Sequence, residues 1–105
     1  METEHFSLAV ERNDGGQTVV RVTGEIDLAT APRLEDCLLE LDGQPIALDF
    51  SAVTFMDASG VRVLLSTQKR AGDRAFTLRG VQPPQMRVLE VAEVADQFNL
   101  DFDHT

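Results

Sequence analysis

The fold is decided by three consecutive segments: Pro45-Ile-Ala-Leu-Asp-Phe50, Ser51-Ala-Val-Thr-Phe-Met-Asp57 and Ala58-Ser-Gly-Val-Arg-Val-Leu-Leu-Ser-Thr-Gln-Lys-Arg-Ala71, closed by Gly72. The first is a short apolar run after a turn, the pattern of a strand buried on both faces. The second reads as a loop leading out of that strand. The third sets Val61, Leu64, Leu65 and Gln68 on one helical stripe, with Lys69 and Arg70 where they suit the C-terminal dipole and Gly72 as the stop. A central buried strand feeding a helix places the chain among α/β proteins.

The flanks agree. Phe6–Val10 alternates apolar and polar residues, Thr18–Thr23 is rich in β-branched residues, and Asn13-Asp-Gly-Gly16 between them is a turn cluster, so the three predict a hairpin. After Gly24-Glu-Ile-Asp-Leu28, Thr30 is the candidate N-cap of a helix with Pro32 in its first turn. Leu34, Cys37, Leu38 and Leu41 form its buried stripe, and Gly43 ends it. Downstream, Ala75–Leu78 predicts a strand, Pro83-Pro84 opens a helix to about Ala92, and Phe98–Leu100 predicts a last short strand. The order is ββαβαβα(β), a mixed sheet of four or five strands covered by helices, in a single domain spanning 1–105 with its core at about 6–100.

With 105 residues, the chain is long enough for one core without disulfides or metal. Nine Lys+Arg against eighteen Asp+Glu give a formal charge of −9, which argues against a phosphate-backbone binder of DNA or RNA. The single Cys37 has no CxxC or Cys/His companion, so zinc and disulfide frameworks are excluded and a reducing cytoplasm is the simplest compartment. The N-terminal Met1–His5 is acidic where a secretory signal is basic, and no apolar run is long enough to insert in a membrane. Six of the nine basic residues lie between Arg62 and Arg87, opposed there only by Asp73, and Glu90, Glu93, Asp96, Asp101 and Asp103 follow. Such runs read as solvated surface, with a polarised docking face as the alternative.

Two places offer chemistry. Asp57-Ala-Ser59-Gly60 stands at a helix start, where a serine hydroxyl lies beside backbone N–H groups that receive an anion well. The plainer reading makes Asp57 or Ser59 a helix cap. Gly60 inside the first turn costs up to ~1 kcal/mol against Ala, which suggests that another backbone approaches closely there. Phe55 and Met56 before it are core or an apolar contact surface. The second place is Glu25 and Asp27; two carboxylates can share acid–base work, but a solvated turn with Asp27 and Thr30 assisting the helix start accounts for them more simply. His5 and His104 match no metal or triad spacing. No GxxxxGK[ST], GxGxxG or GxSxG occurs, so an enzyme is the weakest class, and no cofactor is called for.

Gly24–Leu34, Leu48–Val61, and Leu78-Arg-Gly-Val81 with Val88-Leu-Glu-Val91 together resemble the successive blocks of a STAS domain of the anti-sigma-factor antagonist family, over about Phe6 to Leu100. The resemblance implies that Ser59 is a phosphorylation acceptor, with Asp27, Asp57, Ala58 and Gly60 as partner contacts. It implies two protein partners, an anti-sigma factor with serine kinase activity and a serine phosphatase. The unphosphorylated domain would bind the kinase and release a sigma factor, and phosphate on Ser59 would end that binding. The alternative is a non-switching STAS module, for instance beside a transporter ATPase, in which Ser59 is only a cap. The family's further helix after the last strand does not fit into Asp101–Thr105, so the resemblance implies an absent or reduced last helix, and an uncovered strand edge leaves the oligomeric state open.

Overall fold

The computed structural model describes residues 6–101, with five strands and three α-helices among them. In chain order they are β1 (Ser7–Arg12), β2 (Thr18–Ile26), α1 (Ala31–Glu40), β3 (Ile46–Met56), α2 (Ala58–Ala71), β4 (Phe76–Arg79), α3 (Pro83–Val91) and β5 (Asn99–Asp101), with a 3₁₀ turn at Ala95–Gln97 before β5. The strands lie side by side in chain order, β1 antiparallel to β2 and all later neighbours parallel. Each parallel step needs a crossover, and right-handed crossovers between strands in sequential order put α1, α2 and α3 on one side of the sheet. β5 ends at Asp101, the last described residue. His5, His104 and Asp103 lie outside the described residues.

The core fills the space between the sheet and this helical layer. Val20, Val22, Leu48, Phe50 and Leu78 point from the strands at Leu34, Leu38, Leu64 and Leu89, all essentially without solvent contact. Fully burying such side chains contributes about 1.5–3 kcal/mol each, which is the main force holding the layers together. On the opposite face the strand register lines up Ala9, Arg21, Asp49, Arg79 and Asp101 in one cross-strand row. Arg21 Nε lies 3.5 Å from the Asp49 carboxylate in that row.

Three expectations change. Ser51–Met56 is the second half of β3, not a loop: it continues the pairing with β2 through Ala52, Val53, Phe55 and Met56. The α2 stripe is turned from the one expected, with Gly60, Val61, Val63, Leu64 and Thr67 buried and Leu65 and Gln68 only partly so. Thr67 tolerates burial because its hydroxyl donates to the Val63 carbonyl at 2.8 Å. Thr30 occupies the N-cap position of α1, but its side chain does not cap the helix.

Candidate functional site

The site is built where β2 and β3 end together. Their last residues, Ile26 and Met56, are register partners, and the Asp57 N–H donates to the Ile26 carbonyl at 3.1 Å. The Asp27 turn and the Asp57–Ser59 helix start therefore share the carboxyl end of the parallel strands, where open α/β sheets present their ligand-facing loops.

Asp27 is a turn builder. Its Oδ1 accepts from the Ala29 N–H at 3.0 Å and the Thr30 N–H at 3.1 Å, and its own N–H donates to Thr30 Oγ1 at 2.9 Å. The buried Thr30 hydroxyl in turn donates to the Glu25 carbonyl at 2.8 Å. This closed set of bonds fixes how the chain enters α1. Glu25 is exposed and joins this set through its backbone carbonyl alone, not through its carboxylate.

At the second helix Asp57 is the N-cap in extended conformation, and its Oδ1 accepts from the Ser59 N–H at 2.8 Å. The Asp57 carbonyl receives the Gly60 and Val61 N–H groups at 3.0 and 3.3 Å. The first-turn donors expected to be free for an anion are thus largely engaged by Asp57, and Asp57, rather than Ser59, is the cap. Ser59 keeps its hydroxyl for other use. It is half-buried on the wall of a cleft of about 300 Å³ between α1 and α2, which Leu28, Pro32 and Glu35 line from one side and Arg62 and Ser66 from the other.

Gly60 is buried, and a Cβ there would stand 2.5 Å from Met56 Cγ and 2.9 Å from Ile26 Cγ2. The close approach over the helix start therefore comes from the chain's own core side chains, which corrects the expectation of an external backbone. Ala58, by contrast, is exposed. Of the pair read as core or an apolar contact surface, Met56 is core and Phe55 is 46% exposed; sequence reasoning passed over Leu28, 77% exposed, beside the other turn. Arg62, which entered only as one end of the basic run, stands between the α1–α2 cleft and a second groove toward α3. Large apolar side chains held in water next to a built turn are a signal that the sequence carried and that a count of burial-prone residues hid.

Among the described residues no cluster of His, Cys, Asp or Glu is placed to hold a metal, and no helix is long and apolar enough to cross a membrane. The class these features define is an open-faced α/β module whose built site is a capped helix start with one available hydroxyl. The family described as "Mlab, STAS domain" matches residues 9–100. A solved anti-sigma factor antagonist from Mycobacterium paratuberculosis superimposes with a TM-score of 0.83 at 32% identity, covering 91% of this chain and 85% of that one. The anti-sigma-B factor antagonist of Listeria monocytogenes is 26% identical over 97 residues, 88% of this chain and 85% of that protein. The anti-sigma-F factor antagonist RsfB of Mycobacterium tuberculosis is 35% identical over 60 residues, 54% of this chain and 49% of that protein. The chain belongs to the STAS domain family, among the anti-sigma-factor antagonists. STAS domains are non-catalytic regulatory modules.

Proposed function

We propose that this chain is an anti-sigma-factor antagonist that works by partner switching, with Ser59 as its phosphorylation acceptor. In this reading the unphosphorylated domain binds an anti-sigma factor with serine kinase activity through the surface around Ser59, Asp27, Asp57 and Ala58, and so frees a sigma factor. The kinase supplies ATP and Mg²⁺, a serine phosphatase restores the hydroxyl, and the domain acts in the cytoplasm without touching DNA. The observation that carries the reading is the hydroxyl of Ser59 itself: it lies in the first turn of α2, half-buried on a cleft wall, and its backbone N–H, but not its Oγ, is committed to Asp57.

The chemistry of release follows from the neighbours. Phosphorylation adds about −1.5 to −2 charges. With the Asp57 carboxylate next to it and the first-turn N–H groups already engaged, the phosphate finds local compensation only in the helix dipole and in Arg62, one turn on at the same cleft, and it otherwise keeps itself solvated. Pressed into an interface it would lose that water, at a cost on the order of 2–5 kcal/mol, or roughly 30-fold to several-thousand-fold in affinity.

The test is incubation with the cognate anti-sigma kinase and ATP, peptide mass spectrometry, and kinase titration of Ser59→Asp and Ser59→Ala. One phosphate on Ser59, lost binding for Ser59→Asp and retained binding for Ser59→Ala are expected. Because Asp57 is the cap, both variants should unfold within ~1 kcal/mol of wild type. Phosphate at Ser51 or Thr54, or a Ser59→Asp variant that binds as tightly as wild type, would overturn the reading. Stable association with a transporter ATPase and no phosphate transfer would favour a non-switching module instead.

A further inference from the structure

On the side of Arg62 away from Ser59, α2 and α3 leave an open groove of about 590 Å³ that no element of the described chain covers. Its walls are two apolar stripes. Ala58, Val61 and Leu65 on α2 follow i, i+3, i+7 spacing, and Pro84, Val88 and Val91 on α3 follow i, i+4, i+7. The inner parts of both stripes lean on the core, where Val61 is buried and Leu65 and Val88 pack against it, whereas Ala58, Pro84 and Val91 are exposed. Val91 is 77% exposed. The outer edge of each stripe is therefore apolar surface that the described chain leaves uncovered.

The periodicity fixes the shape of what would fill it. Seven residues of helix rise about 10.5 Å, so two walls of that length offer ridges and grooves to a third helix with the same i, i+3/i+4, i+7 spacing. A thin acyl chain would leave the exposed Val91 wall in water, whereas a helix about 10 Å across closes it. Charge fixes the rest. Arg62 on α2 and Arg87 on α3 flank the groove from its two sides, and neither forms an ion pair or a side-chain hydrogen bond among the described residues. These are bare cations at an apolar groove in a chain whose formal charge is −9. They complement an acidic occupant.

We propose that the α2–α3 groove docks an amphipathic helix of a partner protein, apolar at i, i+3/i+4 and i+7 and flanked by Asp or Glu that meet Arg62 and Arg87. Helix-in-groove recognition supplies the apolar anchors, and the two arginines set the orientation and reject basic helices. This docking does not rest on the acceptor role of Ser59, which does not line the groove.

The experiment uses two side-chain-stapled helical peptides of ~14 residues, alike in three leucines at i, i+4 and i+7. One carries Glu at the flanking positions and the other Lys. Each is titrated into the ¹⁵N-labelled full chain. The acidic peptide should shift the amides of Val61, Leu65, Val88 and Val91, and should bind Ser59→Ala as well as wild type. The double variant Arg62→Glu/Arg87→Glu should lose about tenfold or more in affinity for it and gain affinity for the basic peptide, and Val91→Glu, an exposed change that leaves the core intact, should weaken it as well. Equal binding of both peptides, or shifts outside the groove, would overturn the proposal. So would saturation of the groove by oleate with no peptide binding, which would mark a lipid site, or sedimentation as a dimer that Val91→Glu dissolves, which would mark a second copy of this chain.

Discussion

Gly60→Ala places one methyl group where the core has no room. The new Cβ would lie 2.5 Å from Met56 Cγ, 2.9 Å from Met56 Sδ and 2.9 Å from Ile26 Cγ2. Real carbon contacts do not come so close, and both neighbours are buried, so they must move within a filled layer. Overpacking costs about 1–3 kcal/mol, and clashes with two residues at once put this site in the upper half of that range. Helix propensity works the other way and returns about 1 kcal/mol for Gly→Ala. The net expectation is a loss of about 1–2 kcal/mol, or a melting point lower by roughly 4–8 °C for each kcal/mol. Circular dichroism during urea and thermal unfolding is the assay, since the chain has neither Trp nor Tyr. The mechanism itself is read from a double-mutant cycle. Met56→Ala alone should cost about 2–5 kcal/mol by opening a cavity. Combined with Gly60→Ala, the added methyl fills part of that cavity, so the pair should lose less than the sum by about 0.5–3 kcal/mol. A neutral or stabilised Gly60→Ala, with additive behaviour in the cycle, would refute the packing argument.

Other outcomes follow from the same turns. Asp57→Ala removes the bond to the Ser59 N–H and should cost about 1 kcal/mol in urea unfolding, whereas Asp57→Asn, which still caps, should retain most of it. Thr30→Val keeps the shape but strands the Glu25 carbonyl and the Asp27 N–H in a part-buried turn, and should cost about 1–3 kcal/mol. For Asp49, partial burial pushes the carboxyl up, but the Ser51 N–H and side chain and the Arg21 guanidinium outweigh it and hold it below its ordinary value of 3.8. A carboxyl whose folded value is depressed stabilises the protein above the unfolded value and loses that contribution as pH falls through the folded one. Wild type should therefore lose more stability than Asp49→Asn on acidification from about pH 6 to pH 3, and equal losses in the two proteins would contradict it.

Much of this architecture was legible because its periodicities are local. Leu34 and Leu38, Pro32, Pro83 and Gly72 mark two helix starts and one helix end by chemistry that acts within a turn. The second half of β3 was not legible. Register shifts against β2 between Arg21 and Thr23 and between Gly24 and Glu25 break the two-residue alternation, so that Val53 and Met56 are buried three residues apart with Thr54 and Phe55 exposed between them. That spacing is not a strand's. At the site, Ser59 and Asp57 could be named from their block, but the division of labour could not: which carboxylate caps, and which N–H groups it uses, depends on the extended conformation of Asp57. The α2–α3 groove was also out of reach, because the outer edges of two stripes become a surface only when tertiary packing sets them side by side.

The row Arg21, Asp49, Arg79, Asp101 on the helix-free face has an electrical consequence. Its signs alternate at the spacing of neighbouring strands, about 5 Å, so the four charges sum to zero and their fields cancel within a few strand widths. Seen from a Debye length away, this row is nearly silent, and Glu11 on β1 is the unbalanced charge that remains on its face. Most of the chain's excess negative charge is carried elsewhere, on the helical layer, the turns and the chain ends, where it is interrupted by Arg33, the basic run from Arg62 to Arg74, and Arg87. A basic surface on an approaching macromolecule is turned by that uneven field before any contact forms, toward the helices and away from the bare strands. Orientation on encounter is thereby written into the pairing register of the sheet, by the side that pulls least.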